Sequence, residues 1–90
     1  MMKQDKKIST GLKKASTHLT KVIKMIENGE YCIAIMQQNL AVIGLLKSAH
    51  QSLMERHLHT CFAKAMKTND KIRQKEMIEE ILQVSKLVNK

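Results

Sequence analysis

Two cysteines and one histidine of this 90-residue chain have the types and the spacing to bind a metal ion. His57 and Cys61 are four residues apart, and side chains at that spacing project from one face of an α-helix, a turn apart. The pair could ligate one metal ion, although a histidine and a cysteine also occur four apart by chance. Cys32 is the only other cysteine. Two thiolates with one imidazole suit a soft ion of low coordination number, with Cu(I) the leading candidate, whereas zinc would require a fourth ligand.

Cys32 is too far along the sequence to join this pair within one chain. It lies 25 residues before His57, and an unbroken helix would separate the two by roughly 37 Å. If two copies of that helix pack antiparallel, Cys32 of one copy lies opposite the His57 and Cys61 end of the other. Two-fold symmetry then makes two identical sites per dimer.

Three helices are predicted to position these residues, in a single all-α domain over 1–90. The first, at about 8–27, ends at Asn28-Gly29, because glycine suits the left-handed position that closes a helix. The second spans about 30–67. The third, at about 70–89, follows Thr68-Asn69-Asp70, which has turn and N-cap chemistry. The apolar stripe of the first helix, with steps of three and four residues, consists of Ile8, Leu12, Ala15, Leu19, Val22 and Ile26.

The middle helix predicts oligomerisation. Between Cys32 and Leu46 it is apolar on nearly every face, and such a helix must be covered on all sides. Two flanking helices of the same chain are not sufficient for a rod of roughly 55 Å. We therefore predict an antiparallel homodimer with the middle helix at its interface.

Positive charge is concentrated near the N-terminus. The net charge is +8, and residues 1–25 contain seven lysines against the single acid Asp5. Such a basic face attracts polyanions, most commonly nucleic acid, although a lysine-rich helix face can also be merely solvated. Aromatic residues make up 2% of the chain, too few for base stacking on single strands. The candidate DNA-binding residues are Lys6, Lys7, Lys13, Lys14, Lys21 and Lys24.

The composition argues against several other classes of protein. Without proline and with three glycines, the chain does not fit collagen-like or turn-rich β architectures. No apolar run approaches the 18–20 residues that a membrane span needs, and no hydrophobic segment typical of a signal peptide follows the N-terminus. We expect a cytoplasmic protein without membrane contact, whose cysteines are thiols or metal ligands. No catalytic arrangement of His, Asp and Ser falls on one face, so an enzyme is not predicted.

Two segments and the ligand spacing resemble the CsoR/RcnR/FrmR family of small all-helical transcriptional repressors. Residues 24–32, KMIENGEYC, are similar to the family's RMIEEDxYC segment, and residues 53–61, LMERHLHTC, are similar to its LLEDHLxxC segment. The similarity covers roughly Leu12 to Cys61, with a short C-terminal helix after it. It implies a repressor that forms dimers and, from them, tetramers.

Within that family the Cys-His-Cys pattern at 32, 57 and 61 resembles the Cu(I) sensors of the CsoR branch. Nickel and cobalt sensors have a further ligand near the N-terminus that has no matching position here. Formaldehyde sensors have a proline where this chain has Met2 and lack the second cysteine, and persulfide sensors lack the histidine. The resemblance also implies that Tyr31 and a third-helix glutamate support the ligands by hydrogen bonds. Glu80 is the first candidate for that glutamate and Glu76 the second.

Both the first and the second helix depart from the family pattern. Residues 11–18, GLKKASTH, stand where copper sensors have RLxRIEGQ. Lys14 thus replaces an arginine and His18 a glutamine, and Ile43 replaces an arginine of the second helix. Positive charge for phosphates is retained, but the guanidinium groups that grip phosphate bidentately or read base edges are missing.

The predicted function is Cu(I)-responsive repression, with DNA bound by the metal-free form and released on Cu(I) binding. Two alternatives remain open. A thiol or aldehyde sensor of the same fold would use Cys32 as a nucleophile and would not require His57 or Cys61. A copper-binding helical protein without operator binding would keep the three ligands, and the changes at His18 and Ile43 favour it.

Overall fold

The computed structural model describes residues 3–88, which form helices and no strand. Helix α1 spans Lys3–Glu27 and α2 spans Cys32–His57. A π-helical turn at Leu58–Phe62 leads into the short helix α3, Ala63–Met66, and α4 spans Lys71–Val88. The predicted all-α class is confirmed.

The helix bounds differ from the predicted ones in two places. Helix α1 begins at Lys3 rather than at residue 8, and Asp5 in its first turn interacts favourably with the positive end of the helix dipole. The predicted second helix is interrupted by the π-helical turn. Periodicity of apolar residues gave no sign of this turn, because the π-helical turn inserts one extra residue without a proline or glycine to mark it.

Gly29 closes α1 and determines where α2 begins. Its φ of 65° lies in the left-handed region, where a Cβ is unfavourable. The Gly29 amide donates to the Ile26 carbonyl at 3.1 Å and the Glu30 amide to the Met25 carbonyl at 3.0 Å. These are the two bonds of a Schellman motif, so the connection between α1 and α2 is short and hydrogen-bonded.

The first compact unit of the chain extends up to Met54 and contains the packing of α1 on α2. Ile8, Ala15 and Val22 are buried on α1, and Val42 and Ala49 are buried on α2. The helices approach closely at Gly11, where an added Cβ would lie 3.8 Å from the Ala49 Cβ. The other half of the predicted α1 stripe is exposed, namely Leu12, Leu19 and Ile26.

Helix α2 has a second apolar face that the chain does not cover. Ile33, Met36, Leu40 and Ile43 follow one another at steps of three and four and are 40–65% exposed. Exposed apolar patches of this kind mark interaction surfaces.

The second compact unit begins at Glu55 and is held by a capped turn. The Arg73 amide donates to the Asp70 carboxylate at 3.0 Å, as the predicted N-cap requires. The Gln74 side-chain amide donates to the Thr68 carbonyl at 2.7 Å, and Ala65 and Met77 are buried. Because the structure divides at residues 54 and 55, the single domain over 1–90 stays a prediction.

One segment, Cys32–Met66, is long and apolar enough to cross a membrane by length and composition. Its best window has a mean hydropathy of 1.3, which corrects the prediction that no stretch meets the requirement. One such helix is weak evidence for a membrane span, because the core helix of a soluble protein has the same length and composition. Only 11% of the window is buried within the chain, so this surface needs a cover from outside it.

We expect Gly29→Ala to lower the free energy of unfolding by about 1 kcal/mol, because alanine is strained at positive φ. Gly11→Ala is the matched control and should raise it by up to about 1 kcal/mol, because alanine is the better helix former and its Cβ has room. Urea unfolding at one fixed protein concentration measures both. Equal effects of the two substitutions would contradict the assigned role of Gly29.

Candidate metal centre and basic surface

The predicted ligands His57 and Cys61 lie at the junction of α2 and the π-helical turn. His57 is the last residue of α2 and Cys61 lies within the turn. The turn is closed by the Ala63 amide, which donates to the Leu58 carbonyl five residues earlier. Short π-helical segments are rare in proteins, but those that occur are frequently found at functional sites.

All three predicted ligands are accessible. Cys32, the first residue of α2, and Cys61 are exposed free thiols, and His57 is half-buried. The Thr60 hydroxyl donates to the Arg56 carbonyl at 2.6 Å, and its oxygen lies 3.7 Å from the Cys61 sulfur. The donor set of two thiols and one imidazole fits a soft cation such as Cu(I).

Within residues 3–88 of one chain, no three His, Cys, Asp or Glu side chains converge on a point where they could hold a metal ion. The His57 and Cys61 pair therefore requires a further donor to complete a three-ligand site. Sequence spacing predicts Cys32 of a second copy as that donor, and the assignment of all three ligands stays a prediction.

The residues predicted to support the ligands lie on the surface, and two of them are paired elsewhere. Tyr31 is 74% exposed. The Arg73 guanidinium lies 3.1 Å from the Glu76 carboxylate and 3.8 Å from that of Glu80. Sequence analysis missed Arg73. The three-residue spacing between Arg73 and Glu76 was the sequence signal for this ion pair, because residues three apart on a helix are neighbours on its surface.

The α1 lysines are exposed and form the rims of two grooves against α2. Five of the six predicted DNA-binding lysines line at least one groove, and the sixth, Lys24, lines neither. Thr10 and Thr17 line the grooves but donate their hydroxyl protons to helix carbonyls. The first groove is lined by Lys3, Lys6, Lys7, Thr10, Gly11, Lys14, Leu45, Ser48, Ala49 and Ser52. The second is lined by Thr10, Lys13, Lys14, Thr17, His18, Lys21 and Leu45.

Two of the departures from the family pattern, His18 on α1 and Ile43 on α2, have different environments. His18 is half-buried in the second groove, and its Nε2 is buried without a hydrogen-bond partner among the described residues. Ile43 lies on the uncovered apolar face of α2. The serines of the first groove, Ser48 and Ser52, were not predicted, because only packing of α2 on α1 brings them beside the lysines.

Comparison with known proteins places these features in a family. A sequence model described as "metal-sensitive transcriptional repressor" matches residues 4–87. The copper-sensing transcriptional repressor CsoR of Bacillus subtilis (strain 168) is 33% identical over 88 residues, which cover 98% of this chain and 84% of that protein. CsoR of Mycobacterium ulcerans (strain Agy99) is 40% identical over 55 residues, which cover 61% of this chain and 47% of that protein. The match thus spans about half the length of the mycobacterial relative.

A solved structure has the same fold. The crystal structure of the copper-sensing repressor CsoR with Cu(I) from Geobacillus thermodenitrificans NG80-2 superposes with a TM-score of 0.85 at 30% sequence identity. The superposition covers 100% of this chain and 92% of that chain.

Proposed function

This chain belongs to the family of metal-sensitive transcriptional repressors. From that premise we propose that it is a Cu(I)-responsive transcriptional repressor that acts in the cytoplasm. The metal-free protein binds duplex DNA and releases it when Cu(I) binds. The observation that carries this proposal is the accessible pair of His57 and Cys61 on one helical segment, with an exposed second thiol at Cys32.

Each Cu(I) site combines two chains. Cys32 of one chain and the partner's His57 and Cys61 are the ligands, so a homodimer has two sites. The uncovered face of α2 supports this arrangement, because Ile33, Met36, Leu40 and Ile43 need a cover and a second α2 provides an apolar one. A homotetramer follows from the family resemblance. When bound, Cu(I) would link the α2 helices of the two chains through these ligands, which do not join the helices without the metal.

Two effects connect the metal centre with DNA. Two thiolates with one Cu(I) in place of two neutral thiols would make each site more negative by one unit, which would weaken the attraction to phosphate. The larger effect is geometric, since a ligand that binds one packing of the α2 helices better than another shifts the protein toward it. The exposed lysines of α1 then lose the spacing that fits the duplex.

Tyr31 and one of the two glutamates, Glu80 or Glu76, support the ligands in this proposal. The carboxylates pair with Arg73 at the surface, and exposed ion pairs of this kind contribute about 0–1 kcal/mol. Such a pair is weak enough to give way to a hydrogen bond with a ligand. No catalytic activity is assigned to the protein.

A second candidate function is copper binding without an operator. The half-buried ring of His18 and the apolar side chain of Ile43 favour it, because neither offers a surface cation where the family pattern has polar or basic groups. DNA binding with and without copper distinguishes the two functions.

Replacement of any ligand should abolish tight copper binding. We expect one Cu(I) per chain, and Cys32→Ala, His57→Ala or Cys61→Ala should each lower the affinity by more than about 100-fold, because loss of groups that only support ligands already costs about 10–100-fold. Anaerobic competition with a Cu(I) chelator measures the affinity. His59→Ala is the matched control from the same segment and should bind as the wild type does. An unchanged Cys61→Ala variant would instead indicate a sensor that uses Cys32 alone.

Mixing of two defective proteins should restore copper binding. Chains with Cys32→Ala have no intact site, and neither do chains with both His57→Ala and Cys61→Ala. A mixed dimer has one intact site and one empty one, so refolding the two proteins together should recover one tightly bound Cu(I) per mixed dimer, measured with the same chelator. Recovery of no tight site would contradict the antiparallel arrangement.

DNA binding should depend steeply on salt. Each neutralised phosphate contributes roughly −0.9 to the slope of log K against log salt concentration, so Lys13→Ala with Lys14→Ala should flatten the slope by about two units while Cu(I) affinity stays unchanged. Titration of labelled promoter DNA at several salt concentrations measures the slope. Lys71→Ala with Lys75→Ala removes the same charge from α4 and should leave the slope nearly unchanged. Metal-free protein that shows no preference for its promoter and no release by copper would contradict repression.

A further inference from the structure

Thr60 differs from the other helical threonines that bond to the backbone. Thr10, Thr17, Thr20 and Thr60 each donate the hydroxyl proton to the carbonyl four residues earlier, at 2.6–3.1 Å. Thr60 alone among these also has a sulfur beside its hydroxyl, since its Oγ1 lies 3.7 Å from the Cys61 Sγ. A hydrogen bond to sulfur is longer than a hydrogen bond to oxygen, and 3.7 Å is within the range for a hydroxyl that donates to sulfur.

We propose that Thr60 is a positioning residue of the metal centre, whose hydroxyl holds the Cys61 side chain in the orientation that binds Cu(I). The proposal rests on the proposed function, because it concerns one of the predicted ligands. Cys61 is exposed, and the Thr60 hydroxyl is the one hydrogen-bond partner of its sulfur within the described part of the chain. Without that partner, rotation of the Cys61 side chain about χ1 is opposed mainly by the helix backbone.

The anchoring bond keeps the Thr60 hydroxyl in place. Its 2.6 Å distance to the Arg56 carbonyl lies at the short end of the range for hydroxyl donors, and the β-branched side chain has few rotamers in a helix. The oxygen therefore stays at one position beside the sulfur. From that position the hydroxyl is within hydrogen-bond distance of two acceptors, the Arg56 carbonyl and the Cys61 sulfur.

The test compares Thr60→Val, which keeps the shape and removes the hydroxyl, with Thr60→Ser, which restores the hydroxyl. In the metal-free full-length protein, three-bond NMR couplings of Cys61 should report one dominant χ1 rotamer for the wild type and Thr60→Ser, and rotamer averaging for Thr60→Val. In the Cu(I)-loaded protein, Thr60→Val should lower the affinity by roughly 5- to 10-fold and shift the sulfur-to-copper charge-transfer absorption. Thr60→Ser should restore both.

Thr20→Val is the matched control, because Thr20 makes the same backbone bond at 3.1 Å without a neighbouring sulfur. It should leave the Cys61 couplings and the copper affinity unchanged. If the wild type binds Cu(I) tightly and Thr60→Val equals it in couplings or affinity, the role of Thr60 is overturned while the proposed function stands. A wild type that binds no Cu(I) would overturn the proposed function, and the couplings would still decide whether Thr60 orients Cys61.

Discussion

The structure of this protein depends on one constraint, which is that α2 carries more apolar surface than its own chain covers. Val42 and Ala49 are the buried residues of this helix, whereas Ile33, Met36 and Leu40 are about half exposed or more. Burial of apolar surface contributes about 25 cal/mol per Å², so a cover for this face has a large driving force. The cover that we propose is a second α2, and the same contact brings Cys32 to the partner's His57 and Cys61. In this proposal, oligomerisation and metal binding share one interface.

The metal centre combines a regular helix with a local irregularity. Cys32 begins α2 just after the Schellman motif of Gly29, so the hydrogen bonds of that connection determine its place. His57 and Cys61 lie where α2 changes into the π-helical turn. Thr60 belongs to the same turn and connects the Arg56 carbonyl with the Cys61 sulfur. A few local hydrogen bonds therefore determine how the ligands are presented.

The basic surface is a separate feature with a different physical origin. Its lysines belong to α1 and are exposed, while the packing of Ala49 close to Gly11 determines how near α2 comes to them. Ammonium groups attract phosphates without a fixed direction, in contrast to guanidinium groups. The surface therefore suits binding to the DNA backbone, and we propose that copper acts by changing the arrangement of the α1 lysines in the oligomer.

The sequence by itself determined the all-α class, the close of α1 at Gly29 and the cap at Asp70, because these follow from local periodicity and from backbone conformations of one or two residues. It also determined the candidate ligands, since donor type and spacing are visible in the sequence, and the concentration of lysines in α1. Only the tertiary structure decided that Leu12 and Leu19 are exposed while Ala15 is buried, because helix packing selects a narrower face than the apolar stripe. It also revealed the π-helical turn and the place of Ser48 in the same groove as Lys14. These features depend on the hydrogen-bond register and on contacts between helices, which no single stretch of sequence contains.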